Sequence, residues 1–167
     1  MDKDQNNDTV LELIEFFYPI HYKVGMALED SLRLGKLTRK QVAILWLIRS
    51  EGAQGRQIQR KRIEQLLSGW FEISGSAITK SLRAMARPPL GLIQMAEDPR
   101  SGREKQVWLT PKGERFVQQM VARGCQFVSG LAQNFSAEEI RGVIVFFRRL
   151  TEVIKARPAA NGAAARS

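Results

Sequence analysis

The stretch that most restricts how this chain can fold is Leu92–Gly113, because it reads as extended while the segments around it read as helical. Leu92 to Ala96 is a short apolar run. Gln106 to Leu109 alternates, with Val107 and Leu109 on one side and Trp108 on the other. Alternation with period two marks a half-buried strand. Between the two runs lies Asp98-Pro99-Arg100-Ser101-Gly102-Arg103, which holds the turn formers Asp, Pro, Ser and Gly. The pattern predicts a small hairpin with a charged tip. Asp98 and Arg103 face each other across that tip, where an exposed ion pair contributes about 0–1 kcal/mol. Arg100 and Arg103 suit a probe for phosphates or for a narrow minor groove, whose negative potential attracts guanidinium. The same charges also fit a tip that is merely solvated.

Upstream, the periodicity is helical. Thr9-x-x-Glu12 forms a capping box, and Val10, Leu13, Ile14, Phe17, Ile20, Val24, Leu28 and Leu32 recur at helical spacing. Pro19 predicts a kink or break inside this pattern. Phe16, Phe17 and Tyr18 make the segment apolar on more than one side, as in a helix buried between partners. Gly35 closes it. Thr38-x-x-Gln41 opens a second helix through Val42, Ile44, Leu45, Leu47 and Ile48, ending near Gly52. Residues 52–58 read as loop, and Gln59 to Trp70 reads as a helix with Ile63, Leu66 and Leu67 on one face. Arg60, Lys61 and Arg62 stand at its start, where positive charge opposes the helix dipole. A phosphate partner would offset that small cost; a solvated helix turn is the alternative.

In the next helix Ile78, Leu82 and Met85 form an inward stripe, and Ser76, Ala77, Thr79, Lys80 and Arg83 point elsewhere. Small residues, hydroxyls and long cations suit a helix entering a major groove, although an ordinary amphipathic helix also turns Ser and Lys to water. Pro88-Pro89 stops this helix before the hairpin. Helix, helix, then basic hairpin is the winged helix-turn-helix order. After the hairpin, Thr110 caps a helix with Pro111 at its first position, running through Phe116, Val117, Met120, Val121, Phe127, Val128 and Leu131. Ser136-x-x-Glu139 caps the last one, with Ile140, Val143, Ile144, Phe147, Leu150 and Ile154 on its stripe and Pro158 at its end. Residues 1–8 and the Ala-rich 157–167 are expected to be disordered.

Charge is uneven along the 167 residues. The net charge of +9 divides as −1 over residues 1–51, +6 over 52–115 and +4 over 116–167. A basic segment beside less charged ones is the footprint of a phosphate-binding module, or else general basicity that aids solubility. No apolar run approaches a membrane span, and the polar, mostly acidic start argues against a signal peptide, so a cytoplasmic protein is expected. One cysteine, Cys125, forbids an internal disulfide; mid-helix after Gly124, it reads as a buried structural thiol, with redox sensing as the alternative. No catalytic set, metal-ligand cluster or glycine-rich phosphate loop is visible, so no enzyme, metal or cofactor is expected.

Asp98-x-Arg100-x-x-Arg103 followed by Val107-Trp108-Leu109-Thr110-Pro111-Lys112-Gly113 resembles the wing of the multiple-antibiotic-resistance regulator (MarR) family of winged-helix repressors. The order of elements is similar over roughly residues 9–156. The resemblance implies a mainly α fold with a small β-hairpin wing: a winged helix-turn-helix lobe over 38–110, with dimerisation helices over 9–35 and 111–156. The segment Ser68–Ile73 is a few residues longer than the family's usual turn, which blurs where the recognition helix starts. The implied function is a homodimeric, sequence-specific regulator of a palindromic operator in double-stranded DNA. Ser76, Ala77, Thr79, Lys80 and Arg83 would enter the major groove, Arg100 the minor groove, with Asp98 and Arg103 holding the tip. Arg60, Lys61, Arg62 and Lys105 would meet phosphates. The resemblance further implies a pocket for a small aromatic or phenolic effector, for which His21, Tyr22, Trp46 and Trp70 are candidates; they are also ordinary core or interface residues. A winged-helix module that binds protein, or a nonspecific architectural DNA-binding protein, are the other readings of the same features.

Overall fold

Local capping decides where several helices of the computed structural model begin. The structure describes residues 3–97 and 104–156. In chain order it contains α1 (Lys3–Pro19), a π-helical segment (Ile20–Gly25), α2 (Met26–Leu32), α3 (Arg39–Glu51), β1 (Gln57–Gln59), α4 (Arg60–Leu67), α5 (Gly75–Ala86), β2 (Ile93–Glu97), β3 (Lys105–Leu109), α6 (Pro111–Ala132) and α7 (Ala137–Ala156). The chain forms two units, Met1–Phe127 and Val128–Ser167.

In the first unit, helix α1 starts at Lys3, ahead of the Thr9–Glu12 spacing, and neither Pro nor Gly interrupts residues 3–9. Pro19 changes the winding, as expected of a residue with no N–H to donate; after it the chain passes into the π-helical turn before α2 resumes. Leu34 and Gly35 adopt positive φ (50° and 66°) and end α2, Gly35 at no steric cost. Arg39 on α3 bridges back to Glu29 (3.1 Å) and Asp30 (3.2 Å) on α2. Hydrogen bonding from Arg33, with the charge of Arg39, holds the Asp30 carboxyl below the usual aspartate range.

Helix α3 is the spine of the core. Thr38 caps it through a reciprocal box with Gln41, and Gly52 ends it. Ile44, Leu45, Leu47 and Ile48 are at most 1 % exposed and meet Ile63, Leu67, Ile78, Leu82, Met85, Leu92, Ile93, Val107 and Met120 from the surrounding elements. Each such side chain contributes about 1.5–3 kcal/mol by leaving water.

The sheet has three antiparallel strands in the order β1-β3-β2. In the hairpin Met95 faces Val107 and Glu97 faces Lys105. The third strand, β1, corrects the reading of residues 52–58 as loop throughout: Ile58 pairs with Val107, and Trp108 Nε1 donates to Gln57 Oε1 at 2.8 Å. Helix α4 is shorter than the expected 59–70, because after Leu67 the chain turns at Gly69 and Trp70.

The Thr-Pro-Lys-Gly run acquires a physical meaning here. Thr110 donates its N–H to Leu92 O (3.0 Å) and its hydroxyl to Gly91 O (2.8 Å), and accepts from Gly113 N (3.0 Å). A Cβ at Gly113 would collide with the Leu92 carbonyl, so only glycine lets α6 lie against the start of β2. Further along α6, Gly124 similarly accommodates Leu32 of α2.

The second unit holds the end of α6 and all of α7. Ser136 and Glu139 form the anticipated box: Glu139 N donates to Ser136 Oγ at 3.2 Å, and Ser136 N to Glu139 Oε2 at 2.7 Å. That hydrogen bonding holds the Glu139 carboxyl below the usual glutamate range. No residue of α7 is buried.

Candidate nucleic-acid interface

Helix α5 presents two opposed faces, and its ends are set locally. Ser74 caps it, accepting from Ala77 N at 3.3 Å, so the helix begins at Gly75. The longer Ser68–Ile73 connection places Phe71 and Ile73 half-buried against the core, which holds the cap in position. At the other end Arg87 is extended, as the residue before a proline prefers. Ile78, Leu82 and Met85 are buried, as the inward stripe predicts.

The outer face carries Ser76, Lys80, Arg83, Ala84 and Arg87, all exposed, which with Thr79 line a shallow depression of about 690 Å³. Among the described residues no carboxylate lines it. Three exposed cations, Lys80 and Arg83 on the helix and Arg87 just past its end, therefore line one depression. Arg87 was not among the sequence candidates; its spacing of four from Arg83 and seven from Lys80 is the signal that identifies it. Ala77 and Thr79 are only half-exposed.

A second groove, about 770 Å³, lies between α4, α5 and the hairpin. Arg60, Lys61, Arg83 and Lys105 line it together with Glu64, Glu97 and Glu104, so its charge is mixed. Lys61, Arg62 and Lys105 are exposed. Arg60 is engaged: its Nη2 donates to Thr79 Oγ1 at 3.2 Å and lies 3.4 Å from Glu64 Oε2. Thr79 in turn donates its hydroxyl proton to Gly75 O at 2.9 Å. The tip residues Asp98, Arg100 and Arg103 lie outside the described residues, as does the 157–167 tail.

The four aromatic pocket candidates fall on two elements and one connection. His21 and Tyr22 sit in the π-helical turn, both exposed, with ring centroids 4.8 Å apart. Tyr22 also meets Tyr18, whose hydroxyl raises the Tyr22 pKa above the usual tyrosine value. Trp46 lies on α3 with the Arg49 guanidinium 5.5 Å from its ring, and Trp70 is 54 % exposed after α4. Cys125 is exposed, which corrects the buried-thiol reading: it lies on a side of α6 that this chain leaves uncovered. Among the described residues no group of three or more His, Cys, Asp or Glu could hold a metal ion, and no helix is long and apolar enough to cross a membrane.

Residues 37–113 match the family model of the winged helix DNA-binding domain. No curated protein matches the chain by sequence. Solved structures do match by shape. A MarR family protein from Bacillus stearothermophilus is 20 % identical with a TM-score of 0.75, over 89 % of this chain and 97 % of that one. Wild-type MarR from E. coli in its apo form is 20 % identical with a TM-score of 0.64, over 83 % and 95 %. A mutant of E. coli MarR complexed with operator DNA is 19 % identical with a TM-score of 0.63, over 86 % and 96 %.

Proposed function

We propose that this chain, whose fold is that of the MarR family of winged-helix regulators, is a homodimeric, sequence-specific DNA-binding regulator of transcription acting in the cytoplasm. The observation that carries the reading is the outer face of α5: Ser76, Lys80, Arg83 and Arg87 exposed in a row, opposite a buried apolar stripe. A rigidly anchored helix with free long cations offers donors to guanine edges and phosphates. Lys80 and Arg83 reach base edges, and Arg87, Lys61, Arg62 and Lys105 meet phosphates. Arg100 enters the flanking minor groove, with Asp98 and Arg103 holding the wing tip.

A palindromic operator requires a two-fold partner. Exposed apolar residues of α1 (Leu13, Ile14, Phe17) and, in the second unit, of α7 (Ile144, Phe147, Ile154) each offer apolar surface to a second copy. The regulator is a repressor, released when a small aromatic or phenolic effector prefers the conformation whose lobes no longer match the half-site spacing. The operator complex of the E. coli relative supports the DNA assignment by analogy of fold.

The test is selection of random duplexes by the purified protein at fixed salt, about 150 mM. A palindromic consensus with half-sites about one helical turn apart is expected. Retention without a consensus would mean architectural binding, and no retention at all would favour a protein-binding module.

A further inference from the structure

We propose that Arg60 is a positioning residue for the recognition helix and not a phosphate contact; the inference rests on the DNA-binding reading of α5. By sequence alone Arg60 belongs with Lys61 and Arg62 as a cation at the start of α4. Its surroundings separate it from them. Lys61 and Arg62 are exposed, whereas the Arg60 side chain is 32 % exposed and its Nη2 is shared between Thr79 Oγ1 (3.2 Å) and Glu64 Oε2 (3.4 Å).

Thr79 is held at both ends of its hydroxyl. The proton goes to Gly75 O at 2.9 Å, and the oxygen accepts from Arg60. A phosphate or other acceptor competing for the hydroxyl proton must displace Gly75 O, which leaves Thr79 at most one further bond to accept. Glu64 completes the arrangement from the other side. A Cβ at residue 75 would stand 2.5 Å from Glu64 Oε1 and 4.0 Å from Arg60 Nη2. The first residue of α5 therefore lies directly against the Arg60–Glu64 pair.

These contacts join α4 to the first turn of α5, at the end where Ser76 and Lys80 project. They fix the rotation of the helix about its own axis, and hence which base edges those side chains meet. A half-exposed ion pair adds little to overall stability, so its effect is on alignment. Direct base reading is sensitive to alignment because bidentate donors must match edge geometry, while phosphate contacts tolerate small rotations.

The experiment compares Arg60→Gln, Arg60→Lys, Thr79→Val and Thr79→Ser with the wild type on the selected duplex and on single-base variants of it. The salt dependence is recorded, and so is amide hydrogen exchange of residues 78–80 in the free protein. Arg60→Gln and Thr79→Val are expected to lose about tenfold in discrimination between duplexes, with the slope of log affinity against log salt unchanged. Arg60→Lys should behave like Arg60→Gln, since the lysine side chain ends one atom short of the Nη2 position that makes both contacts, and Thr79→Ser should behave like wild type. Exchange at 78–80 should quicken about tenfold in the two disruptive variants while the amides of 44–48 in α3 stay protected. A slope reduced by about 0.9, the value for one lost phosphate contact, with recovery in Arg60→Lys, would overturn the proposal. So would unchanged exchange at 78–80. If the wild type selects no duplex but exchange responds as expected, the DNA reading fails and the anchoring of α5 by Arg60 stands.

Discussion

Ile44 in α3 is fully buried, while Ile144 in α7 is 45 % exposed, although each lies on an apolar helical stripe of similar composition. The same contrast separates Leu45 from Leu13 in α1. Every buried apolar side chain among the described residues lies between Leu37 and Met120. That region closes its core within one chain, because three helices and a sheet surround α3. Among the described residues the apolar stripes of α1 and α7 stay about half exposed, although scattered exposed apolar residues are normal on any protein. Phe16, Phe17 and Tyr18 in a row, and Val143 to Phe147 without interruption, form patches, and patches of this kind mark interaction surfaces. The lesson is that an apolar stripe predicts burial without saying which molecule does the burying.

The largest expected effect separates the two regions most sharply. Ile44→Ala should lower the unfolding free energy in urea by about 2–5 kcal/mol, with the loss the same at all protein concentrations. If the loss varied with concentration, the lobe would not be complete within one chain. Phe147→Glu should leave the helical circular dichroism intact but raise the dimer dissociation constant at least about 100-fold, or about 2.7 kcal/mol, by sedimentation equilibrium. An unchanged constant would remove α7 from the interface and leave its exposed stripe unexplained. A smaller effect is expected on the DNA face: Lys80→Ala should change base preference at one position by about 1–3 kcal/mol without altering thermal stability, as measured by competition between duplexes.

The smallest effect concerns the start of α7. Glu139 has a folded-state pKa below its unfolded value, so its contribution is present above the ordinary glutamate range and is lost as pH falls through the folded value. Acidification from about pH 5 to about pH 3 should therefore fray the first turn of α7, seen as faster exchange of the 139–141 amides. Glu139→Gln should remove most of that pH dependence. If the variant kept the same dependence, another carboxylate would be responsible.

Features set by neighbours in the sequence were legible from it. The boxes at Thr38–Gln41 and Ser136–Glu139, the cap at Thr110 and the inward stripe of α5 stand where the spacing puts them. Strand β1 was not legible, since Gln57-Ile58-Gln59 is too short to show alternation and is extended because Trp108 and Val107 pair with it. The burial of Cys125 was misjudged because a stripe on α6 does not reveal which sides the chain covers. Within the interface, Lys80 and Arg83 were legible as exposed cations, but the engagement of Arg60 by Thr79 was not.

By itself the sequence determined the helix boundaries at these caps, the winged-helix order of elements and the basic middle of the chain, because each depends on residues three or four apart or on composition. Only the tertiary structure decided that Gly113 must be glycine against Leu92, that Gln57 meets Trp108, and that Arg60 is tied to Thr79 while Lys61 and Arg62 stay exposed. Those facts depend on groups 19 to 51 residues apart in the chain, and local periodicity carries no information about which distant atoms packing brings within hydrogen-bond reach.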